Sequence, residues 1–199
     1  MSSPAAIGFR VHSGWAAAVA VAGPLHAPLA VTRRRIEMVD RGLAGAAQPY
    51  HAAVGLEIGA AESFVNTCAA RAAALAAAGM RGLMADVVQL GYNVARCGLL
   101  LASGRPLPEL QSILASHALI HTAEGELFRA ALRAASQECG LPVTAVKERE
   151  LFARAAADLH VSAGRIERHV AGMGKALGPP WRQDEKFAAA AAWLALSGC

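Results

Sequence analysis

Three things are scarce in this chain of 199 residues, and each scarcity excludes something. The four cysteines, Cys68, Cys97, Cys139 and Cys199, stand far apart with no Cys-x-x-Cys pair. That spacing argues against a zinc knuckle and against a disulfide scaffold, and points to reduced thiols in a cytoplasm. Lysine is nearly missing: it supplies 3 of the 19 basic residues, and arginine the rest, in a chain rich in alanine. Both biases fit a high-GC coding sequence, so the net charge of +4 is not by itself a nucleic-acid footprint. No apolar stretch reaches the roughly 18 residues that a membrane span needs. What remains is enough chain for one domain, residues 1–199, with a substantial core.

What is present first is a run of short apolar segments. Ile7, Phe9 and Val11 alternate with Gly8, Arg10 and His12, the period of a half-buried strand. Ser13-Gly14 turns the chain into a second strand, Trp15 to Ala22, since glycine supplies the backbone angles of a tight hairpin. The same apolar stretch, Trp15 to Gly23 after Arg10, also has the look of a secretory signal, against which the strand alternation weighs. Gly23-Pro24 and Pro28 mark the next turn, and Leu29 to Val39 makes a third strand, with Arg33 and Arg35 on one face and Arg34 on the other. A loop holds Gln48-Pro49-Tyr50-His51. Ala60 to Ala78 reads as helix, its small residues allowing close packing on a sheet. Val87 to Ala102 reads as a strand region whose end, Cys97 to Leu101, is apolar without alternation, as in the middle of a covered sheet.

Beyond Ser103-Gly104-Arg105-Pro106 the pattern turns helical from Pro108 through His117, breaks near Thr122 and resumes to Cys139-Gly140. Leu141 to Val146 reads as a short strand. Glu150 to Leu159, continuing after a break to Gly174, and Asp184 to Leu196 read as helices, separated by Gly178-Pro179-Pro180-Trp181-Arg182, which cannot be helical. The order β-β-β-α-β-α-β-α-α defines an α/β fold.

That order resembles the ribonuclease H-like fold, in which three antiparallel strands precede alternating helices and parallel strands. The tail, from Leu141-Pro142-Val143 through Lys147 to Asp184-Glu185-Lys186 and the alanine run before Trp193, is most similar to the Holliday junction resolvase branch. The string Gly8 to Trp15, Arg33 to Arg35, Pro49 to His51, His117 to Phe128 and Trp181-Arg182 also resembles a set of uncharacterised bacterial proteins. The resolvase resemblance implies DNA or RNA as partner, a divalent metal ion as cofactor, and Asp184, Glu185 and Lys186 at the start of the last helix as catalytic residues. It also implies a carboxylate in the middle of strand one, because two-metal hydrolysis needs several acids around cations about 4 Å apart. Strand one carries none; His12 or Ser13 stands nearest, and Ser103 stands where a resolvase would carry Glu. Two acids are a poor cage for a hard cation, so the expectation is altered or lost catalysis.

A second polar cluster offers other chemistry. In a helix, His117, His121 and Glu124 fall at i, i+4 and i+7 and share a face. Two imidazoles and a carboxylate there suit Zn²⁺ or Fe²⁺, with Glu124 also a catalytic candidate and His51 a further ligand from the loop. The plainer reading pairs Glu124 with Arg129 or Lys147. Phosphate contacts fall to Ser13, Arg33, Arg35, Lys147 and Arg182, arginine forks matching phosphate bidentately. For Arg33 to Arg35 the plainer reading is an edge strand guarded by charge. The Ser13-Gly14 turn also resembles the phosphate-cradling hairpin of actin-like ATPases, without their acidic residue or further glycine loops. The sequence thus supports a divergent resolvase-like or nucleic-acid-binding protein, against a non-enzymatic scaffold or a nucleotide site. A homodimer is compatible with it, and a membrane partner is not.

Overall fold

The computed structural model of the protein describes residues 3–102 and 106–198, so Ser103, proposed above at the end of the fourth strand, lies outside the described residues. The chain opens as expected. Strand β1 (Ser3–His12) turns through Ser13-Gly14 into β2 (Trp15–Ala22), with Val11 opposite Ala16 and His12 opposite Trp15. Gly14 takes a φ of 84°, the left-handed region that makes so short a turn affordable only to glycine. Strand β3 (Leu29–Glu37) adds to the outer side of β2.

Helices α1 (Pro49–Ala53) and α2 (Ile58–Gln89) lead to β4 (Tyr92–Leu101). Then α3 (Leu110–Leu114) and α4 (His117–Glu138) lead to β5 (Val143–Lys147). A 3-10 turn at Glu148–Glu150, α5 (Leu151–Leu159), α6 (Ala163–Met173) and α7 (Gln183–Leu196) complete the chain. The sheet order is β3-β2-β1-β4-β5, antiparallel among the first three strands in sequence and parallel from β1 to β4 to β5. Strand β1 is therefore central, and from Ala5 to Phe9 it is buried and apolar on both faces, as the covered part of such a strand must be.

Several boundaries differ from the sequence expectation: the strand expected from Val87 begins at Tyr92, β3 ends at Glu37 and β5 spans Val143–Lys147, and three further differences have a plain physical reason. Helix α2 runs on to Gln89, about 48 Å in all at 1.5 Å per residue, where the composition suggested an end near Ala78. Gly79 and Gly82 do not stop it; they let it press on β3, where a Cβ would stand 2.7 Å from the Ile36 side chain and 2.3 Å from that of Arg34. The stop comes at Gly91, with φ 87°. The loop at Gln48 to His51 is instead the start of α1, opened by Pro49, a residue pre-set for a first helical turn. The expected break near Thr122 falls earlier, at Ala115 and Ser116, so that His117 begins α4; Thr122 stays helical and turns its hydroxyl back to the Ala118 carbonyl at 2.9 Å.

Two cores flank the sheet. Ile7 and Phe9 of β1 join Met80 and Leu83 of α2 and Phe128 and Leu132 of α4 on one side. On the other, Ala6 and Leu100 meet the alanine run 188–192 of α7, with Leu151 and Ile166 from α5 and α6. Here α7 lies on bare backbone: a Cβ on Gly8 would stand 1.9 Å from the Ala188 carbonyl oxygen, and one on Gly98 2.2 Å from that of Ala191. Gly8→Ala is therefore expected to destabilise by about 2–3 kcal/mol, as overpacking does. For a chain of this size that is a fall in Tm of roughly 5–10 °C by calorimetry. Gly172→Ala, on an open face of α6, is the control and is expected to be near neutral. Equal melting of the two variants would contradict this packing.

Candidate functional site

The residues of β1 that face α7 are Ala6, Gly8, Arg10 and His12, and the last two emerge where α7 begins. Arg10 grips Glu148 with both sides of its fork, Nε to Oε2 at 3.0 Å and Nη2 to Oε1 at 2.7 Å. Its third arm, Nη1, donates to Asp184 Oδ1 at 2.6 Å, and His12 Nε2 lies 2.8 Å from the same oxygen. The guanidinium also covers the Phe187 ring, 5.0 Å from its centroid. Thus a central strand, the turn after β5 and the first turn of the last helix are tied by one cation.

The electrostatics follow from the geometry. The bidentate bond to Glu148 leads the effects on Arg10; it outweighs partial burial and, with Asp184, raises the guanidinium above its ordinary value, so it stays charged. For Asp184, partial burial favours the neutral acid, but hydrogen bonds and charge from His12 and Arg10 together overcome this and hold the carboxyl below the usual range. A divalent ion at these carboxylates would have to displace a guanidinium already making three charged hydrogen bonds.

Beside this lock is a cleft of about 470 Å³, lined by Trp15, Arg33, Arg35, Arg182, Asp184 and Glu185 among others. The Arg35 guanidinium sits 3.7 Å from the Trp15 ring, and His12 stacks on Trp15 with centroids 4.3 Å apart and planes 13° from parallel. Arg33 donates to the carbonyls of Gly178 and Pro179, each at 2.8 Å, tying β3 to the segment before α7. Glu185 accepts the Arg182 backbone N–H at 2.7 Å and so caps α7. Arg34, on the opposite face, pairs with Asp86 of α2 at 2.6 Å.

The histidines assemble on the other side of the sheet, where α1 meets the start of α4. His51, His117 and His121 each bring a ring nitrogen within 4.8 Å of the others. Glu124, 1% exposed, accepts from the His51 ring at Nδ1, 2.8 Å away, and from the His51 backbone N–H at 3.2 Å. Next to it the Tyr50 hydroxyl is raised above its ordinary value, by burial first and by the charge of Glu124 second. Among the described residues this group is the one able to ligate a transition metal; in the Arg10 cluster both carboxylates are already engaged by a guanidinium.

No family profile matches the chain, and no curated protein matches it. Solved structures do. The RuvC of T. thermophilus in complex with Holliday junction substrate superposes with a TM-score of 0.52 at 11% identity, covering 96% of this chain and 90% of that one. A second Thermus thermophilus RuvC structure gives 0.50 at 13% identity, with coverages of 96% and 92%. The fold is ribonuclease H-like. At such identities the likeness is one of fold, and the chemistry has to be read from the side chains.

Within the ribonuclease H-like frame, the sequence candidates separate into groups. Arg33, Arg35, Arg182, Asp184 and Glu185 share the cleft, with His12 at its edge and Ser13 exposed on the adjoining turn. Lys186 is half-buried in the first turns of α7. Lys147 lies four strands from β3, roughly 19 Å at 4.8 Å per strand, with its ammonium 3.6 Å from Glu150. Glu124 pairs with neither Arg129 nor Lys147: Arg129 binds Glu126 at 2.9 Å, and Glu124 belongs to His51. The histidine cluster and the Asp184 cluster occupy opposite faces of the sheet. Arg10 and Glu148 escaped notice; the available signal was that Arg10 alone is charged among the α7-facing residues of β1.

An acid titration checks the lock. Because the folded pKa of Asp184 is lowered, its contribution is complete above the ordinary carboxylate value of about 3.9 and drains away as pH falls through the lower folded value. The wild type is expected to melt above Asp184→Asn at pH 7, with the gap closing below about pH 4. A gap of constant size across that range would show that Asp184 is not held by its charge.

Proposed function

We propose that this ribonuclease H-like domain binds nucleic acid through phosphate contacts in the Trp15, Arg33, Arg35 and Arg182 cleft, and does not cut it by the two-metal route. The observation that carries the reading is Arg10, whose guanidinium is bonded to Glu148 and Asp184 where strand one meets α7. A fixed monocation bound to these acids supplies neither a Lewis acid nor an activated water, both of which two-metal hydrolysis requires. Arg33, Arg35 and Arg182 beside it supply the guanidinium groups that phosphate recognition uses, Arg35 stacked on Trp15 and shared with Glu37. The RuvC structure solved with a Holliday junction places a branched DNA among the substrates to test first. Binding of this kind, with Cys68 and Cys97 buried as free thiols, belongs in the cytoplasm.

In this reading Asp184 positions Arg10 and His12 instead of holding a cation, and Glu185 caps the helix. Ser13, exposed on the adjoining turn, is a further phosphate contact.

Fluorescence anisotropy with a labelled four-way junction and a matched duplex, across a salt series, tests the reading. Affinity is expected to fall steeply with salt, as counterion release dictates. Arg35→Gln with Arg182→Gln is expected to weaken binding at least about tenfold and to reduce the salt slope by about 2. Neither DNA is expected to be cleaved in Mg²⁺ or Mn²⁺. Metal-dependent cleavage lost in Asp184→Asn, or binding unaffected by the double substitution, would overturn the proposal.

A further inference from the structure

We propose that His51, His117 and His121 form a tri-histidine centre for a first-row divalent metal, represented by Zn²⁺, with Glu124 as the carboxylate that orients His51. The ligand nitrogens already lie within 4.8 Å of one another across two separate elements. Imidazole nitrogens around a tetrahedral zinc stand about 3.4 Å apart, given Zn–N bonds of roughly 2.1 Å. Side-chain rotation of about an ångström closes that difference. The rings meet edge to face, at 62° to 89°, with centroids 4.4 to 5.4 Å apart.

Glu124 provides an independent reason. A carboxylate 1% exposed needs compensation, and the partners it has are the ring and backbone N–H of His51. To satisfy the carboxylate, His51 must carry its proton on Nδ1, which leaves the Nε2 lone pair for a metal. A carboxylate behind a ligating histidine is the usual outer partner of such a ligand, fixing tautomer and ring orientation. A divalent ion beyond His51 would supply the counter-charge that Glu124 lacks.

His117 and His121, one helical turn apart at the exposed start of α4, face solvent, while His51 comes half-buried from α1. Three protein ligands with solvent on the open side leave a fourth tetrahedral position for water, the pattern of reactive rather than structural zinc. Cys139, at the far end of α4, and the buried Cys68 and Cys97 contribute no thiolate. Burial pushes the Cys97 thiol up to about 12, against the opposing bond from Ser136. The centre stands apart from the Arg10 lock and holds whether or not the cleft binds nucleic acid.

Calorimetry of the chelator-stripped protein with ZnCl₂ tests it, with Co²⁺ absorption as a second readout. One Zn²⁺ per chain is expected, with at least a hundredfold weaker binding in His117→Ala/His121→Ala. Glu124→Gln is expected to weaken it by about 10–100-fold, the usual effect of removing an outer-shell partner. Circular dichroism in chelator shows that each variant is folded; because Glu124 is buried, His51→Ala serves as the second variant on that side. Co²⁺ is expected to give visible bands of a nitrogen and oxygen set without a sulfur charge-transfer band. Absence of binding at micromolar Zn²⁺, unchanged affinity in the histidine double variant, or a sulfur band would overturn the proposal.

Discussion

Helix α7 rests on the sheet with almost nothing between them. Gly8 and Gly98, on neighbouring parallel strands, offer bare backbone to the run of alanines at 188 to 192, and any side chain on either glycine would collide with a helix carbonyl. Close approach of this kind fixes height and azimuth at once. It sets the first turn of α7 against the end of β1, and Arg10, two residues beyond Gly8 on the same strand face, meets Asp184 there.

That meeting gives the site its character. A two-metal nuclease brings carboxylates together and lets cations neutralise them, and the cations then do the chemistry. In this protein an arginine engages both carboxylates, with a fork on Glu148 and an arm on Asp184. The backbone frame of the ribonuclease H-like fold is retained, with its central strand and final helix, while a guanidinium stands between the carboxylates at its focus. Arg35, stacked on Trp15, and Arg182 line the neighbouring cleft, and on the opposite face α1 and α4 bring the three imidazoles together. Both groups depend on element ends, which is where exposed side chains from distant segments can meet.

Much of this frame was legible in the residues themselves. Alternation of Ile7, Phe9 and Val11 and the Ser13-Gly14 turn announced the hairpin, and the glycine-proline segment before Asp184 announced the last helix. Spacing along α4 put His117 and His121 on one face, and it named Glu124 beside them. Less legible were features set by tertiary partners. Gly79 and Gly82 look like helix breakers until Ile36 and Arg34 are seen against them. The ties of Glu124 to His51 and of Arg10 to Glu148 span 73 and 138 residues, and no local pattern carries them.

The most direct measurement of the central claim is an anomalous difference map from crystals grown with MnCl₂ and collected near the manganese edge. The account requires no peak between Asp184 and Glu148 and Arg10 density bridging both carboxylates. A manganese peak ligated by Asp184 and Glu148, with the Arg10 side chain turned away, would contradict it and return the site to two-metal chemistry.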